Sequence, residues 1–154
     1  YEYFREGANW NRVSKNIQHF KDNLDVRIVC AITVSNMQSA RMPEIYNDLR
    51  EFCNPGLYNT GAVLFPDMLN PIHIPQPLKI QYLKECENFI DNLPQHEKNI
   101  CRKLFDFPMT MFRNNDGNKE QWDKFCRFTD RLDQIHKKNI FDYFPEWEPY
   151  WTTK

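Results

Sequence analysis

The chain has no hydrophobic run long enough to cross a membrane. Its longest apolar stretch, VRIVCAITVS at residues 26–35, is shorter than the roughly 18 residues of a transmembrane helix. It also has no basic-then-apolar signal segment and no N-x-S/T glycosylation site. The sequence therefore predicts a protein that is not inserted in a membrane.

The chain has no excess of charge of either sign. Its 20 lysine and arginine residues nearly balance 21 aspartate and glutamate residues, and no five like charges stand together. A nucleic-acid-binding tail or surface normally needs such a basic block. The balance argues against nonspecific binding to nucleic acid.

Close cysteine pairs and phosphate-binding glycine loops are absent as well. The five cysteines are far apart in sequence and odd in number, which favours a reducing, cytoplasmic location over a disulfide framework. The four glycines form no phosphate-binding pattern, and no Ser-His-Asp arrangement is apparent. The first residue is Tyr1 rather than Met, which is what a fragment of a longer protein would show.

The chain does have enough residues, 154, for one domain with a real core. Its aromatic content of 15% indicates a large core, an interface, or a surface exposed by the absence of a partner.

Residues 26–35 are the segment that most strongly indicates the fold class. Their continuous apolar character predicts a parallel strand buried on both faces by helices. Helical patterns before and after it indicate βα units, in which ligands collect at the carboxyl ends of the strands. The functional edge is therefore expected near Ser35 and Asn36.

The other predicted elements follow from caps, prolines and apolar spacing. Asn9 is expected to cap a helix whose apolar stripe packs on the sheet, and Pro43 to lie in the first turn of another helix. Residues 36–41 are expected to form a polar loop, residues 60–65 to contain a second strand, and the proline-rich residues 66–77 to form a stiff extended loop. The first helical stripe consists of Trp10, Val13, Ile17 and Phe20.

The second half of the chain is predicted to be helical. Helices are expected at residues 80–92, 94–105 and 119–137, with a turn-rich break at residues 112–118. The aromatic C-terminus, NIFDYFPEWEPYW, is expected to dock as a tail. Five aromatic side chains are predicted to contribute to the core: Trp122, Phe125, Tyr143, Phe144 and Trp147.

Four segments together resemble the radical S-adenosylmethionine (radical SAM) enzymes. YEYFREGANWNRVSKNIQHF resembles the segment after their fourth barrel strand, and DVRIVCAITVSNM resembles their fifth strand. NPIHIPQPLKIQYL and the tail FTDRLDQIHKKNIFDYFPEWEPYW are similar to the C-terminal part of phage and environmental twitch-domain members of the family. The tail pattern is the most specific of these.

The resemblance implies an α/β fold, a partial (βα) barrel fragment with a helical C-terminal region. It divides the chain into βα units at residues 1–78 and a helical extension at residues 79–154. Such enzymes use a [4Fe–4S] cluster to cleave S-adenosylmethionine reductively and abstract a hydrogen atom from a substrate. The substrate cannot be inferred from the fold.

The chain departs from the family because it has no C-x-x-x-C-x-x-C loop to hold the cluster. It therefore resembles the C-terminal half of such an enzyme and is not expected to bind a cofactor or to be catalytic alone. Its expected partner is an N-terminal half-barrel or a second copy of itself. The alternative is a non-catalytic, partner-binding or self-associating module derived from the same fold.

The resemblance and the strand positions suggest four site residues. Arg5 matches an arginine that can pair with the cofactor carboxylate, but the sequence favours a surface arginine paired with Glu2 or Glu6. Ser35 and Asn36 would contact cofactor or substrate, or simply cap a loop. His73 would contact substrate, or, as the sequence favours, be a hydrogen-bonded loop histidine.

No metal site is predicted. Cys86, His96 and Cys101 have spacings that match no compact ligand motif, which favours buried structural thiols. Residues 114–118 resemble a calcium loop only faintly, because Phe112 stands where the first carboxylate ligand is needed.

Overall fold

The protein is described here by a computed structural model that covers residue 3, residues 7–53 and residues 58–152. These residues form a mostly helical structure with one small parallel sheet. The expected combination of α and β structure is therefore confirmed. None of the described helices has both the length and the apolar character needed to cross a bilayer.

Two strands and six α-helices make up the described part of the chain. The strands are β1 (Cys30–Val34) and β2 (Tyr58–Ala62). The helices are α1 (Trp10–Asn23), α2 (Asn36–Ser39), α3 (Met42–Arg50), α4 (Gln76–Asn92), α5 (Gln95–Asn114) and α6 (Lys119–His136). Short 3-10 turns lie at Asp67–Leu69, Pro71–His73, Ile140–Asp142 and Pro145–Tyr150.

Helix α1 begins where the sequence predicts but does not pack as expected. The Asn9 side chain accepts a hydrogen bond from the Arg12 amide at 2.9 Å and so caps the helix. No side chain of α1 is buried, and Phe20 is 50% exposed. The expectation of close packing on the sheet is wrong, because α1 buries no side chain. Its contacts with the end of α3 include an edge-on ring contact of Trp10 with Phe52 and a hydrogen bond from the Lys21 ammonium group to the Glu51 carbonyl oxygen at 3.0 Å.

Strand β1 is shorter and more exposed than predicted. It pairs with β2 in parallel, with Cys30 opposite Tyr58 and Val34 opposite Ala62. Ile32 and Val34 are buried, whereas Ala31 and Thr33, which point to the other face, are exposed. The prediction of burial on both faces is wrong, because helices cover only one face of this two-stranded sheet. The second strand overlaps the predicted residues 60–65 but starts earlier and ends earlier.

The predicted loop at residues 36–41 contains a helix. Ser35 and Gln38 form a capping box in which the Gln38 side chain accepts a hydrogen bond from the Ser35 amide at 3.2 Å. This S-x-x-Q signal is present in the sequence and explains why α2 starts directly after β1. Helix α3 follows with Pro43 in its first turn, as predicted.

The proline-rich segment at residues 66–77 is compact rather than extended. Two 3-10 turns follow each other, and the Asn70 side chain accepts a hydrogen bond from the Ile72 amide at 3.2 Å. Helix α4 already begins at Gln76, with a proline in its first turn. Helix α5 continues through Pro108, well beyond the predicted end at residue 105. Burial of Phe112 beyond that proline favours the continued helix.

The structure has two clusters of buried side chains. The first, the tail core, joins the C-terminal tail to α4 and α6; it includes Met37, Ile74, Tyr82, Phe125, Ile140 and Trp147. The second, the sheet core, lies between β1, α3, α4 and α5; it includes Ile32, Val34, Tyr46, Cys86, Ile90 and Phe105. Both clusters contain residues from either side of position 78, and the division of the chain at that position stays a prediction.

The C-terminal tail is docked, as predicted. Trp147 is fully buried, and its indole N–H donates to the Tyr82 hydroxyl. Trp122, Phe125 and Phe144 are buried as expected. Tyr143 is the exception, because it is 41% exposed and lies at the edge of the tail core.

Replacing Trp147 with Ala should lower the free energy of unfolding by about 3 to 5 kcal/mol, because it removes a fully buried aromatic side chain and leaves a cavity. Urea unfolding followed by far-UV circular dichroism would measure the change. Trp10→Ala is the matched control, since Trp10 lies on a helix that buries no side chain. Equal losses in the two variants would contradict the assignment of Trp147 to the core.

Candidate functional site

The candidate site lies at the carboxyl end of β1, where Ser35 and Asn36 follow the strand. The Ser35 hydroxyl takes part in the capping box of α2, where it hydrogen-bonds the Gln38 side chain and accepts from the Met37 amide at 3.3 Å. Ser35 is buried. The loop-capping role that the sequence left open for Ser35 is thus present, and its contact with cofactor or substrate stays a prediction.

Asn36 is completely buried beside the turn at Asp67–Leu69. Its side-chain N–H donates to the Met68 carbonyl oxygen at 2.9 Å. Its side-chain oxygen, Oδ1, is buried and has no hydrogen-bond partner among the residues that the structure describes. A buried polar atom without a partner is uncommon in folded proteins, so this position differs from an ordinary structural asparagine.

His73 lies in the next turn of the same segment. Its Nε2 is 3.0 Å from Asp67 Oδ1, while its Nδ1 is buried and has no hydrogen-bond partner within the described part of the chain. The histidine side chain is 6% exposed and the Asp67 side chain 53% exposed, so the pair connects a buried ring to a surface carboxylate. His73 is thus the hydrogen-bonded turn histidine that the sequence favours, and its contact with a substrate stays a prediction.

The structure brings three of the four predicted site residues to one place. Ser35 and Asn36 start α2, and the segment at residues 67–73 packs against that helix and carries His73. Asn36 Oδ1 and His73 Nδ1, two buried atoms that lack a hydrogen-bond partner among the described residues, both belong to this small region. Arg5 lies outside the described residues.

The cysteines do not assemble a metal site in the described part of the chain. No group of three or more His, Cys, Asp or Glu side chains is placed there to hold a metal ion. Cys86 and Cys101 are buried thiols, as predicted, and burial raises the pKa of each to about 12. His96, which was considered with these two cysteines as a possible metal ligand, has an 81% exposed side chain.

The side chain of a buried lysine on α4 contacts the turn at residues 114–118, which faintly resembles a calcium loop. Lys79 is completely buried, and its ammonium group donates to the Asn115 carbonyl oxygen at 2.6 Å, at the carboxyl end of α5. Burial lowers the pKa of Lys79, and the negative charge of Asp116 opposes that effect. A lysine beside the loop carbonyl suits a helix C-terminus and disfavours a second cation there.

A groove of about 590 Å³ runs along the edge of β1 that does not pair with β2. Ala31 and Ile32 both line it although their side chains point to opposite faces of the sheet, which places the groove at the strand edge. Aromatic and aliphatic side chains form most of its remaining wall: Tyr3, Trp10, Met37, Ile45, Leu49, Tyr143 and Phe144. Sequence analysis missed this groove, because its lining residues, from Tyr3 to Phe144, are up to 141 residues apart in the chain.

The two charged side chains that line the groove, Arg41 and Asp48, differ in their hydrogen-bond and ion-pair partners. Arg41 donates to Glu146 at 2.8 Å and to the Tyr143 carbonyl oxygen at 2.6 Å, so its charge is neutralised within the protein. Burial disfavours the charged form of Arg41, but the hydrogen bond and charge of Glu146 outweigh burial and raise its pKa. Asp48, on α3, is exposed at the groove and forms no ion pair with the described residues.

Comparison of the chain with protein-family models, with curated proteins and with solved structures finds no match.

Replacing Asn36 with Ala should lower the free energy of unfolding by about 1 to 3 kcal/mol, because the Met68 carbonyl oxygen would lose its buried donor. Asn47→Ala, at an exposed position of α3, is the matched control and should change stability by less than about 0.5 kcal/mol. Chemical denaturation of both variants measures the difference. An unchanged midpoint for Asn36→Ala would show that the Met68 bond does not hold α2 to the turn.

Proposed function

We propose that this chain is the C-terminal portion of a radical SAM enzyme, in which it forms one wall of the reaction site. The observation that carries the proposal is the one-sided sheet. Parallel β1 and β2 are covered by helices on one face, whereas four exposed residues occupy the other, here called the open face: Ala31, Thr33, Asn59 and Gly61.

The open face has the chemistry of a wall that meets a ligand. Ala31 pairs with Asn59 and Thr33 with Gly61 in the strand register, so the four residues form one continuous patch of small or polar groups. A Cβ atom added at Gly61 would meet nothing within 4 Å, which leaves space over the strand. A glycine inside a strand often marks a place where another molecule approaches closely. In a closed barrel this face would be the interior.

The neighbouring loop supports the same location. Ligands of parallel sheets bind beyond the carboxyl ends of the strands, where the α2 cap and the turn at residues 67–73 meet. Because the Ser35 and Asn36 side chains form hydrogen bonds within the protein, their proposed role is to hold the backbone at this end of the site in place. Thr33 and Asn59, whose side chains are exposed, are then the residues available to contact cofactor or substrate.

The iron-sulfur cluster does not fit the residues of this chain. A [4Fe–4S] cluster needs several thiolates close together. Cys86, Cys101 and Cys126 are buried and protonated at neutral pH, with burial raising the pKa of each thiol. The cluster would have to be held by another part of the protein, and no chemical step is assigned to the cysteines here.

The proposal predicts that the coding sequence preceding Tyr1 encodes a C-x-x-x-C-x-x-C loop. The longer protein, reconstituted anaerobically, should then hold about four iron atoms per chain and show the absorption of an iron-sulfur cluster. Residues 1–154 alone should bind no iron after the same treatment. Sequencing the upstream DNA and measuring iron and sulfide in both proteins test this.

Two outcomes would contradict the proposal. One is a preceding coding sequence without the cysteine loop. The other is a stoichiometric cluster on residues 1–154 alone, because the described cysteines provide no site for it.

A second candidate function is a self-associating module. Apolar side chains stay exposed just outside both strands, with Val29 59% exposed before β1 and Leu64 and Phe65 71% and 89% exposed after β2. Together with unpaired strand edges, such side chains usually mark an association surface. This candidate requires no cluster and no upstream domain.

Self-association predicts a mass larger than the monomer's 18.7 kDa in light scattering at micromolar concentration. Phe65→Asp should weaken the association by at least about tenfold, because a charge would have to be buried in the contact. Ile135→Asp is the matched control, since Ile135 is 69% exposed on α6, away from the sheet. A monomer at every concentration, or equal effects of the two variants, would exclude association through this surface.

A further inference from the structure

A cavity of about 280 Å³ lies where the turn at residues 71–73, the start of α6 and the C-terminal tail meet. It shares no lining residue with the groove beside β1. Its volume is at the lower end of the range for ligand pockets, so it can take only a small molecule. Neither candidate function described above makes use of this cavity.

The inner wall of the cavity is apolar. Ile74 and Trp122 are buried in it, and Pro75 and Tyr150 are partly exposed. The indole N–H of Trp122 already donates to the Tyr150 carbonyl oxygen at 2.9 Å, so it needs no partner from a ligand. The wall therefore favours an apolar group of a ligand.

Two side chains of opposite charge lie at the rim of the cavity. Asp116 and Lys119 both line it, and both are exposed. Lys119 pairs with Asp123 at 2.9 Å, but its side chain is 77% exposed, and such surface ion pairs contribute little to stability. A ligand carboxylate can therefore compete with Asp123 for the Lys119 ammonium group.

Asp116 forms no ion pair with the other described residues. The charge of Lys79 attracts it, but the Lys79 ammonium group donates to the Asn115 carbonyl oxygen at 2.6 Å and does not line the cavity. The Asp116 carboxylate is thus the anionic group that a ligand in the cavity meets.

The turn that carries Asp116 is held in place by its packing. Gly117 has a φ of +82°, and a Cβ atom added there would lie 2.5 Å from the Ile72 carbonyl oxygen and 3.2 Å from the His73 Cα. The turn therefore packs directly on the backbone of residues 71–73. Charged groups on a fixed turn need little ordering when a ligand binds, which favours binding.

His73 adds a buried polar atom next to this turn. The residue lines the cavity, and its Nδ1 has no hydrogen-bond partner among the described residues. When the Nε2 proton is donated to Asp67, Nδ1 is left as an acceptor. An N–H group of a ligand would supply the donor that this atom lacks.

We propose that the cavity binds a free α-amino acid with an apolar side chain. The ligand's ammonium group pairs with the Asp116 carboxylate at the rim, its carboxylate pairs with Lys119, and its side chain contacts the apolar wall. The ammonium group is placed at the carboxylate and not at the carbonyl oxygen to which Lys79 donates. This site does not involve the open face and needs no iron-sulfur cluster.

Other small ligands match the charges at the rim less well. A simple carboxylate would meet the like charge of Asp116, and a simple amine would meet that of Lys119. An uncharged apolar molecule would leave both side chains without a partner. A zwitterion is complementary to both charges, and such complementarity is what gives a binding site its specificity.

The test titrates the ¹⁵N-labelled chain with L-leucine and L-phenylalanine, up to about 10 mM, and follows the Gly117 amide and Trp122 indole signals by NMR. Both signals should shift and saturate with each amino acid. Two matched ligands are N-acetyl-L-phenylalanine, which lacks the ammonium group, and L-phenylalaninamide, which lacks the carboxylate. Each should bind at least about tenfold more weakly than L-phenylalanine.

Variants assign the two ligand charges to their partners. Lys119→Gln should weaken the binding of L-phenylalanine by about tenfold but leave that of L-phenylalaninamide unchanged, because this ligand has no carboxylate to lose. Asp116→Asn should weaken the binding of both ligands. Lys124→Gln and Asp106→Asn, at positions that do not line the cavity, are the matched controls and should change neither affinity. Circular dichroism confirms that each variant is folded.

Three results would overturn the proposal. One is the absence of a saturable shift with either amino acid, and another is binding of N-acetyl-L-phenylalanine as tight as that of L-phenylalanine. The third is an equal loss of affinity for L-phenylalanine and L-phenylalaninamide in Lys119→Gln. None of these results depends on iron content, so this proposal and the proposed enzyme function fail independently.

Discussion

The structure depends most on the hydrogen-bonded ion pair between Arg41 and Glu146. Arg41 lies just before α3, and Glu146 lies in the C-terminal tail, 105 residues later. Glu146 also accepts from the Tyr82 hydroxyl at 3.1 Å, and the Arg41 guanidinium stacks on the Phe144 ring at 4.6 Å from its centroid. One carboxylate therefore links the tail to α4 and to the βα unit. Removing Arg41 would leave the Glu146 carboxylate largely buried without its cation, which is more costly than the loss of a surface ion pair.

This linkage determines where open surface remains. With the tail docked over α4 and α6, the tail core closes on one side of the molecule, and α3 and α5 cover one face of the sheet. Nothing in the described part of the chain covers the other face or the free edge of β1. The groove at the free edge of β1 and the open face are thus adjacent, and together they form one uncovered surface. Both candidate functions are explanations of that surface, and they differ in whether a catalytic domain or a second copy completes it.

Elements with a local cause were predictable from the sequence. Asn9 caps α1 through a bond to a residue three positions away, and Pro43 lies in the first turn of α3. The S-x-x-Q capping box at Ser35 was equally local and was overlooked, although it would have replaced the predicted loop with α2. The error at β1 has another origin. A run such as VRIVCAITVS shows that residues can be buried, but whether both faces are covered depends on how many strands and helices surround it.

The candidate site also combines features that the sequence predicts with contacts that depend on the tertiary structure. The sequence by itself determined the five longer helices, the Asn9 cap of α1, the parallel βα character, the docked aromatic tail and the location of Ser35 and Asn36 after the strand. Only the tertiary structure decided that Asn36 bonds Met68 and that His73 bonds Asp67. The reason is physical: caps and stripes depend on neighbours within a few residues, whereas partners across the chain are chosen by packing, which no local pattern encodes.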